Sequence, residues 1–101
     1  MPRLFAVTRS RGPAWQGGRA LEEQDEWTAH AIFMNALHRD GFVLLGGPLD
    51  GTPDVLLIMR ARDSDEITAR LADDVWTRNG LLRIKQIVPW TLRLGALGPP
   101  S

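Results

Sequence analysis

The sequence predicts an α+β fold: strand, helix, strand, strand, helix, strand, with both helices on one face of a four-stranded antiparallel sheet, the ferredoxin-like (split βαβ) arrangement. Three observations predict it. The stretch Asp25–Asp40 holds no Gly or Pro and carries large side chains at helical spacing. A second helical stripe follows a capping residue at Asp63, and four apolar runs surround the two stripes in strand-like lengths.

Taking the elements in order, Leu4 to Thr8 reads as a short strand, and Ser10 to Gly18 reads as a loop because it holds Gly12, Pro13, Gly17 and Gly18. Trp15 sits in that loop, as a packing anchor or as the lid of a pocket. Glu22, Glu23, Asp25 and Glu26 mark the start of helix one, since carboxylates are stabilised beside the unpaired N–H groups of a first turn. Trp27, His30, Met34 and Leu37 share one face of that helix, and Gly41 suits the left-handed position that ends it. Phe42–Leu49 and Val55–Ala61 read as antiparallel strands joined by Asp50-Gly51-Thr52-Pro53-Asp54. Gly46-Gly47-Pro48 suits a bulge or an open patch where a ligand meets main chain.

Val55-Leu56-Leu57-Ile58-Met59 is apolar at every position, so both faces of its strand need cover. One helix layer covers one face, and a second copy of the chain is the expected cover for the other. Asp63 and Glu66 have capping-box-like spacing, Ile67, Leu71 and Val75 form the stripe of helix two, and Asn79-Gly80 ends it. A last strand is expected from Leu82 to Leu94. Leu82, Ile84, Val88, Trp90, Leu92 and Leu94 fall on one side, interrupted at Gln86, with Pro89 at a bulge, a strand end or an edge. Residues 1–94 are expected to form one domain and 95–101 a flexible tail.

Composition narrows function. Twelve basic and twelve acidic residues give a formal net charge of zero, against the uncompensated basic field that nucleic-acid binding needs. The absence of cysteine excludes disulfides, thiolate nucleophiles and thiolate metal sites, and the absence of tyrosine removes the phenol as an acid. No apolar run approaches the roughly 20 residues of a membrane span. Met-Pro-Arg-Leu-Phe-Ala-Val lacks a signal peptide's apolar core, so a cytoplasmic location is expected. No P-loop, strand-linked G-x-G-x-x-G or H-E-x-x-H occurs, and His30 and His38 stand about 12 Å apart along one helix, too far for one ion. Neither a metal nor a cofactor is expected.

His30 stands on the apolar face of helix one, where an unpaired ring costs about 1–3 kcal/mol, so it needs a partner. A backbone carbonyl would make it a core residue; a carboxylate would make it a general acid or base. Asp74, at the end of the second stripe, opposes the helix dipole unless the helix has already ended and Asp73-Asp74 is a solvated turn. Trp27, Trp76 and Trp90 are core or interface residues that, if they line a cavity, favour a flat or apolar small molecule. Arg19 reads as a solvated loop charge, with bidentate binding of a carboxylate as the alternative, and the sequence assigns no role to Arg9 or Arg11.

The runs Glu23-Gln24-Asp25-Glu26-Trp27-Thr28-Ala29-His30-Ala31-Ile32-Phe33-Met34, Gly41-Phe42-Val43-Leu44-Leu45-Gly46-Gly47-Pro48-Leu49 and Asp74-Val75-Trp76 resemble the YciI-like (YCII-related) family over most of the chain. The resemblance implies a dimeric α+β barrel, two ferredoxin-like subunits packed sheet against sheet. It also implies an active-site dyad of His30 and Asp74, with Gly47 and Pro48 bordering the pocket. Val75 departs from the family's usual proline, which leaves the backbone that aims Asp74 less fixed. Trp27, Trp76 and Trp15 complete the expected substrate-binding set. Two functions follow: a cofactor-independent enzyme using the dyad for elimination, isomerisation or hydrolysis of a small cyclic or unsaturated compound, or a non-catalytic small-ligand-binding domain.

Overall fold

The computed structural model describes residues 2–97 of the chain. Its elements are β1 (Arg3–Arg11), a short 3-10 turn (Leu21–Glu23), α1 (Trp27–Arg39), β2 (Val43–Pro48), β3 (Asp54–Ala61), α2 (Ser64–Leu71), α3 (Val75–Arg78) and β4 (Leu82–Pro89). The strands form one sheet in the order β2-β3-β1-β4, every neighbouring pair antiparallel. This is the α+β, ferredoxin-like class that the element order predicts. Of the tail expected at 95–101, residues 98–101 lie outside the described residues.

The inward face follows from strand periodicity. Phe5 and Val7 of β1, Val43 of β2, and Leu57, Met59 and Ala61 of β3 pack with Leu37, Phe42, Ile67 and Leu71 into one buried core. Fully burying a side chain of the Leu or Met class contributes about 1.5–3 kcal/mol, so this layer carries most of the fold. A second cluster, Trp76, Leu81 and Leu82 with Trp15, Leu21 and Trp27 against it, forms at the other end of the sheet. Helix α1 closes on Gly41, whose φ of 79° lets its own N–H reach the His38 carbonyl and the Phe42 N–H reach the Leu37 carbonyl.

Four local expectations are corrected. The acidic run precedes α1 instead of entering it: Glu26 takes a left-handed φ of 61°, the helix starts at Trp27, and its first turn holds no acid. Glu23 instead accepts a hydrogen bond from the Ala20 N–H at 2.8 Å. The second helix is two helices, because the Asp74 side chain accepts from the Trp76 N–H at 3.1 Å and caps a new start, so Val75 belongs to α3 and not to the stripe of α2. Strand β4 ends at Pro89, short of Leu94, and its pairing with β1 shifts between Thr8 and Arg9, so Leu82, Ile84 and Ile87 share one side while Gln86 and Val88 take the other. In β2 the irregularity lies between Val43 and Leu45, ahead of the glycines.

Among the described residues no helix packs on the opposite sheet face. Ala6, Leu45 and Ile58 are cross-strand neighbours there, with Val88 beside Ala6, and Leu45 and Val88 stay exposed in the single chain. Among the described residues no helix is long and apolar enough to cross a membrane.

Candidate active site

Period-two alternation carries β1 from Phe5 through Val7 to Arg9, so an arginine occupies an inward position and is only 1% exposed. Its charge is met at the break between α2 and α3. Arg9 Nη1 donates to Asp74 Oδ2 at 2.8 Å and Nη2 to Thr77 Oγ1 at 2.7 Å, and the Thr77 hydroxyl donates on to the Leu71 carbonyl at 2.7 Å. Asp74 is fully buried, which rules out the solvated turn.

Helix α1 brings His30 to the same carboxylate. Its Nδ1 stands 3.0 Å from Asp74 Oδ1 and 2.9 Å from Oδ2. A carboxylate only accepts, so Nδ1 carries the proton and Nε2 is the free nitrogen. The imidazole stacks on Trp76, ring centroids 3.8 Å apart and planes within 6°, and the Trp76 indole N–H donates to the Asp25 carbonyl at 2.6 Å. His30 is thus fixed in tautomer by Asp74 and in plane by Trp76. Burial alone would raise the Asp74 carboxyl, but hydrogen bonds from His30 and Arg9 outweigh it and hold the group below the usual carboxylate range.

Arg9, His30 and Trp76 line a cavity of about 420 Å³. His30, Trp15, Trp27, Trp76, Gly47 and Pro48, all singled out in the sequence, line it, and so do Arg9 and Arg11. Asp74 lies behind His30 and outside the lining. Trp15 combines both expected roles: it packs edge-on against Trp76, centroids 5.8 Å apart, and forms cavity wall. Trp90 does not line the cavity, and His38 is engaged elsewhere, its Nδ1 2.9 Å from the Val43 carbonyl. The loop wall is tied down by Gln24, whose amide nitrogen donates to the Gln16 and Arg19 carbonyls and whose oxygen accepts from the Gln16 N–H. Among the described residues no three His, Cys, Asp or Glu gather where a metal ion could sit.

Sequence reasoning missed Arg9 and Thr77 as partners of Asp74. The alternation Phe5, Val7, Arg9 held the signal for the first; Thr77, in a four-residue helix, left none.

The chain is similar in structure to 5-chloro-2-hydroxyhydroquinone dehydrochlorinase from Burkholderia phenoliruptrix, solved in complex with 2,5-dihydroxybenzoquinone. The two share 24% sequence identity over 91% of this chain and 95% of the other, with a TM-score of 0.61. That likeness shows the fold. No family model and no curated protein matches the chain.

Proposed function

We propose that the protein is a small acid–base enzyme in which His30 moves a proton on a cyclic or unsaturated substrate held in the cavity. The observation that carries this reading is the buried relay Arg9–Asp74–His30, which orients one imidazole nitrogen inward and leaves Nε2 without a hydrogen-bond partner among the described residues. In an elimination, Nε2 takes a proton from the substrate, the C–H electrons form the new double bond, and the leaving group departs with its electron pair. Asp74 stabilises the imidazolium until its proton is released. Isomerisation and hydrolysis use the same relay, and the dehydrochlorinase activity of the structural neighbour supports elimination first. The dyad of the YciI-like resemblance agrees with this assignment.

The test is steady turnover on a panel of small cyclic compounds, beginning with 5-chloro-2-hydroxyhydroquinone and scored by chloride release. Turnover is expected in the wild type and should fall by about 10²-fold or more in His30→Gln with the circular dichroism unchanged. The second reading, a ligand-binding domain, draws on the structural duty of Asp74 as the cap of α3. Saturable binding with no product from any of the panel would favour it. In either reading the protein acts as a homodimer joined through the helix-free sheet face.

A further inference from the structure

Three arginines and one carboxylate pair line or border the cavity, and the charges do not cancel. Asp74 is held by Arg9 and His30. Asp54, the carboxylate in the lining, accepts from Lys85 Nζ at 2.9 Å, and that hydrogen bond holds it below the usual carboxylate range. Arg19 stands 3.6 Å from Asp25 with both side chains at least half exposed, a pair that contributes little. Arg11 makes no ion pair among the described residues; its guanidinium lies 4.6 Å from the Trp15 ring centroid. Stacking on an aromatic face restrains a guanidinium while its in-plane donors stay available.

Arg9 and Asp54 also line the cavity, and Arg9 Nε and Asp54 Oδ1 are both buried with no hydrogen-bond partner among the described residues. The rest of the wall is flat and apolar: Trp15, Trp27, Trp76, Met34 and Leu57.

We propose that the cavity selects a flat, conjugated oxyanion, a carboxylate or an ionised ring hydroxyl, held at its charged oxygen by Arg11 with its ring among the tryptophans. This deepens the acid–base reading and rests on it for the site the substrate occupies. Arg11 is then a specificity residue, separate from the relay that moves the proton.

The experiment is an NMR titration of the intact protein, following the tryptophan indole N–H resonances. Benzoate is compared with benzamide, and 4-nitrophenolate with 4-nitroanisole; the better-bound anion identifies which oxyanion the site takes. Each anion is expected to bind about tenfold or more tightly than its neutral partner, the scale of one hydrogen bond to a charged group. Arg11→Gln should reduce that ratio to about twofold or less, Arg11→Lys should keep part of it, and the exposed Arg62→Gln should leave it intact. Equal binding within both pairs, no saturation by either anion, or a ratio unchanged in Arg11→Gln overturns the proposal. His30→Gln should preserve the anion preference, so turnover retained in that variant with the preference kept tells against the acid–base reading alone.

Discussion

At the scale of single residues, Asp74 carries three duties with two oxygens: it accepts from Arg9, from His30 and from the Trp76 N–H. Removing its charge leaves Arg9 buried beside a neutral amide, and breaking a buried pair from one side costs about 3–5 kcal/mol. Asp74→Asn should lose that much stability at pH 7 in urea denaturation; a loss below about 1 kcal/mol would mean that the ion pair is absent in solution. The acid limb has a defined sign. Folding lowers the Asp74 carboxyl below its ordinary value, so near pH 4 the unfolded chain binds more protons than the native one. The resulting stability is complete above that range and drains away as pH falls through the native value. Denaturation midpoints measured from pH 7 down to pH 3 should therefore fall, and in Asp74→Asn this part of the slope should vanish. The same residue shows what one chain alone conceals. An aspartate after an amphipathic stripe reads as a frayed helix end, because a four-residue helix is too short to display a period of its own. The dyad reading of Asp74 came from the YciI-like resemblance, whereas the inward arginine was open to direct reading from the alternation of β1.

At the scale of elements, the cavity depends on how the loop after β1 is seated on the turn before β4. Gly12 donates to the Leu81 carbonyl at 2.8 Å and Ala14 to the Gly80 carbonyl at 3.1 Å. A Cβ at Gly12 would run into the Gly80 carbonyl oxygen, a backbone atom that cannot swing aside. Gly12→Ala should therefore shift the loop that carries Trp15 and neighbours Arg11. The expected outcome is a rise in KM, or in the Kd of a cavity ligand, larger than any fall in kcat, because His30 and Asp74 sit on other elements. An unchanged Kd would show that Trp15 does not depend on that seat. Strands and helices were legible here because each buries one face, and burial writes a period of two or near 3.6 into the chain. The bulges in β2 and β4 were not, since one extra residue reverses every side chain beyond it without leaving a composition signal. The clean alternation expected through Leu94 broke at Lys85–Gln86 for that reason.

At the scale of the whole molecule, the helices cover one face of the sheet and the other carries Ala6, Leu45, Ile58 and Val88. Burying such a row against a second copy recovers about 25 cal/mol for each Å² of apolar surface removed from water, and a two-fold axis would set the same row against itself. Leu45, 53% exposed on an edge strand, is the most open member and has the least role in holding the single chain together. Light scattering at micromolar concentration should accordingly give twice the 11.2 kDa chain mass. Leu45→Glu should return the mass to that of one chain while circular dichroism stays unchanged, because two copies of the new carboxylate would be buried at the interface. A wild-type mass of one chain would remove the second copy as the cover, and the unbroken apolar run of β3 would then require a different partner for its helix-free face.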